Sequence, residues 1–181
     1  MSVDKTDSRL RGNDKNDINI NIRLFSEKDS ISELTSLLHR AYKRLADMGL
    51  YFVATYISEV DMQGFVDRGE CFIAVSDGKI VGTILLYPKG KNMPELYKRD
   101  DVLVFGKFAV EPEYQCKGVG AMLMDYIEKY VKAKGIKELA LDTAEGAHHL
   151  IDYYSKRGYE KVGYYQWSVT NYRSVIMSKK L

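Results

Sequence analysis

The segment from Asp101 to Gly135 changes its apolar period from that of a strand to that of a helix, and this change limits the folds open to the chain. Up to Val110 the alternation predicts a strand, on which Val102, Val104, Phe108 and Val110 share one face. Gly106 interrupts that face and indicates a bulge or a close backbone approach. After Pro112 the spacing becomes helical and predicts a helix that ends at Gly135. Its apolar positions are Val119, Met122, Leu123, Tyr126, Ile127, Tyr130 and Val131.

The N-terminal half contains one further helix and three further strands by the same criteria. Alternation over Ile18–Ile22 predicts a strand with one buried face. Ser30 and Glu33 have the spacing of a capping box and predict a helix that stops near Gly49. Two strands, Cys71–Val75 and Lys79–Tyr87, are joined by an Asp-Gly turn and predict a hairpin.

The C-terminal part adds a short strand at Leu139–Leu141, a helix over Ala147–Lys156, and two final strands over 160–167 and 169–178. Hairpins therefore join some strands and helices join others. This order predicts a mixed α/β fold rather than an all-helical or all-β one.

Composition supports a single globular domain, because 45% of the 181 residues are hydrophobic and 29% are charged. Residues 1–17 are polar and are predicted to be a flexible head, which leaves 18–181 as the folded domain. A net charge of +2 favours neither nucleic acid nor a membrane as partner. With two cysteines, no zinc-type spacing and no apolar run that could span a bilayer, we expect a soluble cytoplasmic protein without a metal.

The loop between the strand ending at Val110 and the long helix carries the clearest chemical signal. It reads Gln115-Cys116-Lys117-Gly118-Val119-Gly120. A helix N-terminus offers unpaired amides and a partial positive charge, so phosphate oxygens bind there readily. Gly118 and Gly120 allow close backbone approach, and Lys117 adds charge. The spacing fits neither the dinucleotide fingerprint nor a Walker A loop, but two glycines before a helix are not specific by themselves.

Together with Val110-x-Pro112-Glu113-Tyr114, this loop resembles motif A of the GNAT superfamily of N-acetyltransferases. Tyr153-Tyr154-Ser155-Lys156-Arg157-Gly158-Tyr159 is similar to the family's later Leu-Tyr-x-x-x-Gly-Phe segment. The resemblance covers about nine-tenths of the chain. It implies a single-domain GNAT-like α/β fold, with a mixed, mostly antiparallel sheet of about six or seven strands flanked by helices.

The resemblance also implies an enzyme that transfers acetyl directly from acetyl-coenzyme A to an amine of a small molecule, a peptide or a protein. Tyr154 matches the family's tyrosine and is the candidate acid for the leaving thiolate; core packing is its other interpretation. Main-chain pairing with the pantetheine arm is expected at Phe108, Ala109 and Val110. The pyrophosphate is expected at Gln115, Cys116, Lys117, Gly118, Val119 and Gly120. A non-catalytic acyl-coenzyme A sensor and an interaction domain with a vestigial loop are the alternatives.

Two departures from the family pattern affect the chemistry around the thioester. Cys116 stands where glycine is common in the family, and Ala147 stands where an asparagine is common. A thiol at a helix N-terminus can be nucleophilic, so an acyl-cysteine route through Cys116 is a minor alternative to direct transfer. His148 and His149 lack the spacing for two metal ligands on one helix face.

Sequence spacing alone selects neither a general base nor a single set of acceptor residues. Five side chains near the ends of the strands are candidate bases, and none is singled out by spacing; they are Glu111, Glu113, Asp142, Glu145 and His148. Ordered water is another candidate for this role. The acceptor site, by resemblance to the family, would combine 42–59 with 164–172; its candidates are Tyr51, Phe52, Tyr56, Glu59, Asp61, Trp167 and Tyr172. Ordinary packing of these aromatic residues is the competing interpretation, and a homodimer is compatible with the sequence.

Overall fold

The computed structural model describes residues 19–90 and 93–181, so the predicted head at 1–17 lies outside the described residues. Six helices and seven strands occur in the described part. They are β1 (Asn21–Leu24), α1 (Ile31–Asp47), α2 (Val53–Tyr56), α3 (Glu59–Arg68), β2 (Glu70–Ser76), β3 (Lys79–Tyr87), α4 (Glu95–Lys98), β4 (Val102–Val110), α5 (Val119–Ala133), β5 (Glu138–Ala144), α6 (His148–Lys156), β6 (Glu160–Tyr165) and β7 (Ser174–Lys180). The mixed α/β class and the mostly antiparallel sheet are confirmed.

The sheet order is β1-β2-β3-β4-β5-β7-β6, and β4 with β5 forms the parallel pair. Helix α5 makes the crossover between these two strands, as parallel neighbours require. The two strands pair only at Val102↔Glu138, Leu103↔Leu139 and Val104↔Ala140. Beyond these pairs β4 and β5 diverge, and the gap between them is called the splay below.

A bulge in β4 changes which side chains share a face, so the prediction of one face for Val102, Val104, Phe108 and Val110 is wrong. Register with β3 shifts between Leu85↔Gly106 and Thr83↔Ala109, and Lys107 has a left-handed φ of 49°. Val102 and Val104 pack with Tyr97, whereas Phe108 and Val110 pack on the side of α5. Gly106 shows both features that the sequence suggested. It lies beside the bulge, and a Cβ added at this position would lie only 2.5 Å from the Tyr87 ring.

Each face of the sheet carries its own apolar core. Helices α5 and α6 cover one face through Leu123, Ile127 and Ile151, and α1 and α3 cover the other through Leu34, Leu38 and Met62. Within residues 19–90 and 93–181, no helix combines the length and apolarity needed to cross a bilayer.

Two details of the predicted elements differ from expectation. Ser30 caps α1 by accepting from the Glu33 amide, but Glu33 does not close a capping box; its Oε1 accepts from the Ile80 amide at 2.8 Å and ties α1 to β3. The last strand begins at Ser174 rather than 169, because the Thr170 hydroxyl donates to the Tyr172 carbonyl in a local turn.

Candidate active site

One cavity of about 910 Å³ runs from the start of α5 through the splay to a space enclosed by aromatic side chains. Its walls come from α1, α3, α4, α6, the ends of β4 and β5, and the connection between β6 and β7. The part of the cavity on the α1 and α3 side of the sheet is called the chamber below. A site of this size and mixed lining can hold a small molecule together with the arm of a larger one.

The loop before α5 leaves its main-chain donors open. Gly118 is the N-cap with φ +86°, and no side chain caps this helix. The first bond inside the helix is from the Met122 amide to the Gly118 carbonyl, so the amides of Val119, Gly120 and Ala121 have no intrahelical acceptor. These three amides and the helix dipole favour an anion at this end of the cavity.

Cys116 adopts the left-handed φ of 59° that a glycine would take without strain. Its thiol is free and exposed. Cys116 therefore takes a conformation that favours glycine while carrying a side chain.

Seven of the nine candidate cofactor residues line the cavity, and two do not. The seven are Phe108, Ala109, Val110, Gln115, Cys116, Gly118 and Gly120. The Val119 side chain is 1% exposed and belongs to the core, so this residue can offer only its amide. Lys117 is exposed, with its ammonium 5.6 Å from the centre of the Tyr114 ring.

The edge of β4 that borders the splay has main-chain groups without a strand partner. The Glu111 amide donates to Val81 in β3, and because main-chain groups alternate along a strand, those of Phe108 and Val110 point the other way. Two side chains bind there: Tyr42 donates to the Phe108 carbonyl at 3.1 Å, and Gln115 donates to the Val110 carbonyl at 3.0 Å.

Tyr154 lies in α6 with 6% of its surface exposed, and it lines the cavity. Its ring packs edge-on against Phe105 and Tyr159. Burial raises the pKa of Tyr154 well above its usual value, so the hydroxyl is protonated at neutral pH. The position is at once a core position and a cavity position, so the two interpretations of this tyrosine are compatible.

Of the five candidate bases, only Asp142 lines the cavity. Glu111 is held by two bonds from Arg40, and Glu145 by two from Arg173. Glu113 and His148 are exposed. The packing therefore distinguishes Asp142 from the other four candidate bases, which sequence spacing could not do.

Asp142 is held in place by hydrogen bonds from aromatic side chains. Trp167 Nε1 donates to Oδ2 at 2.9 Å, and the Tyr97 hydroxyl donates to Oδ1 at 3.3 Å. Burial raises the pKa of Asp142, while these bonds and the charge of Lys107 oppose the rise. A carboxylate of raised pKa inside a cavity is suited to accept a proton from a bound amine.

Lys107 is a cavity residue that the sequence analysis missed. It is 7% exposed, and its ammonium lies 4.4 Å from the centre of the Phe65 ring and 5.9 Å from that of Tyr87. Burial lowers the pKa of Lys107 from 10.5 to about 8. A lysine directly after Gly106, within an otherwise apolar strand, is the sequence signal that could have identified it.

The predicted acceptor residues divide into two groups. Phe52, Trp167 and Tyr172 line the cavity. The others lie outside it: Tyr56 donates to the Val169 carbonyl, Asp61 binds Ser58 at the start of α3, and Tyr51 and Glu59 are exposed. The chamber also contains Tyr42, which lies at the start of the predicted segment 42–59, and three aromatic residues outside the predicted segments, namely Phe65, Tyr87 and Tyr97.

Comparisons with known proteins agree with this architecture. The model of the acetyltransferase (GNAT) family matches residues 32–159. An S-(2-succino)cysteine N-acetyltransferase of Bacillus subtilis is 29% identical over 143 residues, covering 78% of this chain and 84% of that protein. An S-alkylcysteine N-acetyltransferase of the same organism is 27% identical, covering 76% of this chain and 77% of that protein.

Among solved structures, the PaiA N-acetyltransferase of Thermoplasma acidophilum in complex with coenzyme A is similar, with a TM-score of 0.71 and 22% identity. The match covers 90% of this chain and 99% of that one. At this identity the likeness shows a shared fold.

The buried ammonium of Lys107 should cost stability. With a folded pKa of about 8 against 10.5, the protonated lysine disfavours folding by about 3 kcal/mol below pH 8. That cost disappears as the pH rises from 8 to 10.5, because the amine then enters the fold uncharged. We expect Lys107→Met to raise the unfolding free energy at pH 7 by up to about 3 kcal/mol and to show little gain at pH 10.5. Urea unfolding at both pH values measures this; a variant less stable than wild type at pH 7 would contradict it.

Proposed function

The chain belongs to the acetyltransferase (GNAT) family, and we propose that its acceptor is the α-amino group of a small S-substituted cysteine. It is an N-acetyltransferase that uses acetyl-coenzyme A as donor. The observation that carries the proposal is the continuous cavity, which joins the open amides of α5 to an aromatic chamber that holds one buried cation, Lys107, and one partly buried anion, Asp142.

The donor would bind along the loop and the free edge of β4. The open amides at the start of α5, with the loop Gln115–Gly120, would hold the pyrophosphate. The pantetheine arm would then pair with main-chain groups beside Phe108, Ala109 and Val110 in the splay. To do so it must compete with Tyr42 and Gln115, whose side chains bind the carbonyls of Phe108 and Val110.

The acid and the base proposed for the reaction lie on opposite sides of the splay. An amine that enters as ammonium would give one proton to Asp142, which passes it to water, and the neutral amine would attack the thioester carbon. The carbon–sulfur bond breaks, and Tyr154 protonates the leaving thiolate. The second proton, lost by the nitrogen as the amide forms, restores the Tyr154 hydroxyl.

The acceptor class rests on the relatives and on the size of the chamber. The two Bacillus subtilis proteins are named for S-(2-succino)cysteine and S-alkylcysteine. The aromatic walls of the chamber would cover an S-substituent of a few carbons, and Phe52, Trp167 and Tyr172 would contact it. A cytoplasmic location is part of the proposal, since an exposed free thiol at Cys116 suits a reducing compartment.

Gly118→Ala tests the pyrophosphate site. The new side chain would strain the left-handed backbone at φ +86° and crowd the anion, so the affinity for coenzyme A should fall tenfold or more, about 1.4 kcal/mol. Gly135→Ala is the matched control, because this glycine has φ +80° and equally open surroundings at the other end of α5. Calorimetric titration with coenzyme A should separate the two variants, and equal affinities would exclude this loop as the site.

Tyr154→Phe tests the acid. Turnover should fall by roughly 100-fold or more while coenzyme A affinity stays within about twofold, because the hydroxyl acts only on the departing thiolate. Tyr153→Phe removes a neighbouring cavity hydroxyl from the same helix and should keep most of the turnover. Steady-state thiol release measures both variants; full turnover in Tyr154→Phe would remove the assignment.

A panel of acceptors tests the substrate class. Wild-type enzyme should release thiol from acetyl-coenzyme A with kcat/KM for S-methylcysteine or S-(2-succino)cysteine about 100-fold above that for spermidine, an aminoglycoside or a peptide N-terminus. Mass spectrometry of the product should locate the acetyl group on the α-nitrogen. A polyamine or peptide as the best acceptor would refute the proposal.

A further inference from the structure

The bulge in β4 directs a charged side chain into the chamber. In an unbroken strand Lys107 would share a face with Phe105, which packs in the core on the side of α5. The extra residue at the bulge returns Lys107 to the opposite face, where it meets Phe65 of α3 and Tyr87 of β3. The left-handed φ of Lys107 is the local strain that accompanies this arrangement.

The ammonium of Lys107 has no carboxylate partner among residues 19–90 and 93–181. No ion pair within 4.0 Å includes Lys107, and no protein acceptor binds its Nζ in this part of the chain. Asp142 is the nearby anion, but its two oxygens accept from Trp167 and Tyr97. The chamber thus holds a positive and a negative group that are not joined to each other.

Other titratable groups around Lys107 do not neutralise it. Tyr87 of β3, Tyr97 of α4 and Tyr42 of α1 all have pKa values raised by burial, so they stay uncharged at neutral pH. From α3 the contact is the uncharged ring of Phe65, and from β5 it is Asp142. A buried cation with aromatic neighbours and no ion pair attracts an anion from the solvent or from a ligand.

We propose that Lys107 binds the α-carboxylate of the acceptor while Asp142 receives its amino group, so that the chamber selects free amino acids over plain amines. This inference rests on the proposed function and assigns its specificity to one side chain. The two ends of an amino acid carry the opposite charges that the chamber offers. Lys107 is a specificity-determining residue in this scheme, and it takes no part in bond making.

A purely structural role for Lys107 accounts less well for its position. Packing between Phe65 and Tyr87 requires only an aliphatic side chain of similar length, which methionine would supply without the cost of a buried charge. The charge itself is what a carboxylate ligand would need.

The test measures wild type, Lys107→Met and Lys107→Arg with S-methylcysteine and with its amide. Lys107→Met should lower kcat/KM for S-methylcysteine by roughly 10- to 150-fold, the range for losing a hydrogen bond to a charged group. The loss should lie mainly in KM, and Lys107→Arg should recover most of it. S-methylcysteine amide lacks the carboxylate, so the kcat/KM of wild type for this amide should already be lower by a similar factor. Lys107→Met should not lower the kcat/KM for the amide any further.

The reaction product provides a second measurement that avoids the titrating amine. N-acetyl-S-methylcysteine carries a carboxylate and no basic nitrogen, so its inhibition constant reports on the cation alone. In wild type that constant should rise about tenfold per pH unit above the Lys107 pKa of about 8, because the ammonium loses its proton there. In Lys107→Arg it should stay level to pH 10, since the guanidinium remains charged.

The outcomes distinguish this inference from the proposed function. If wild type acetylates S-methylcysteine but Lys107→Met lowers activity equally on the acid and the amide, or on neither, the carboxylate role is overturned and the proposed function stands. If wild type acetylates no free amino acid, both are overturned. The assignment is supported if Lys107→Met loses activity on S-methylcysteine but not on its amide. Lys107→Arg should then recover that activity, and its inhibition constant for the product should stay level with pH.

Discussion

The separation of β4 from β5 is the constraint on which the rest of the site depends. Three residue pairs join the parallel strands, and then each strand leaves main-chain groups without a strand partner. Such groups are costly to bury unless something binds them. Tyr42 from α1 and Gln115 from the loop bind two carbonyls of β4, while the remaining space forms the middle of the cavity. The gap is therefore lined with groups that can form a strand-like pairing with an extended ligand.

The two ends of the cavity differ in their electrostatics. At one end the open amides of α5 favour an anion without a buried charge. At the other end, Lys107 and Asp142 are charged groups inside an aromatic enclosure, where each has a pKa moved toward neutrality by burial. Charges in such a place destabilise the fold and strengthen interactions with a matching ligand, a combination common at functional sites.

The proposed acid, the proposed base and the proposed carboxylate-binding cation come from three different elements. Tyr154 is supplied by α6, Asp142 by β5 and Lys107 by the bulge of β4. Each is fixed by neighbours outside its own element: Phe105 packs on Tyr154, Trp167 binds Asp142, and Phe65 lies under Lys107. The connection between β6 and β7 therefore contributes to the site through Trp167, although it is far in sequence from the loop before α5.

The sequence determined the fold class, the long helix α5, the loop before it and the place of Tyr154, because each depends on local periodicity or on a short motif. It could not show that Asp142, among four candidate carboxylates and one imidazole, is the one that lines the cavity, and it did not identify Lys107. Those outcomes depend on where two strands part and on a bulge beside Gly106, which packs closely against Tyr87, a residue 19 positions earlier in the chain. Only tertiary packing decides which face a side chain meets after such a shift, since one extra residue reverses the alternation that a strand pattern assumes.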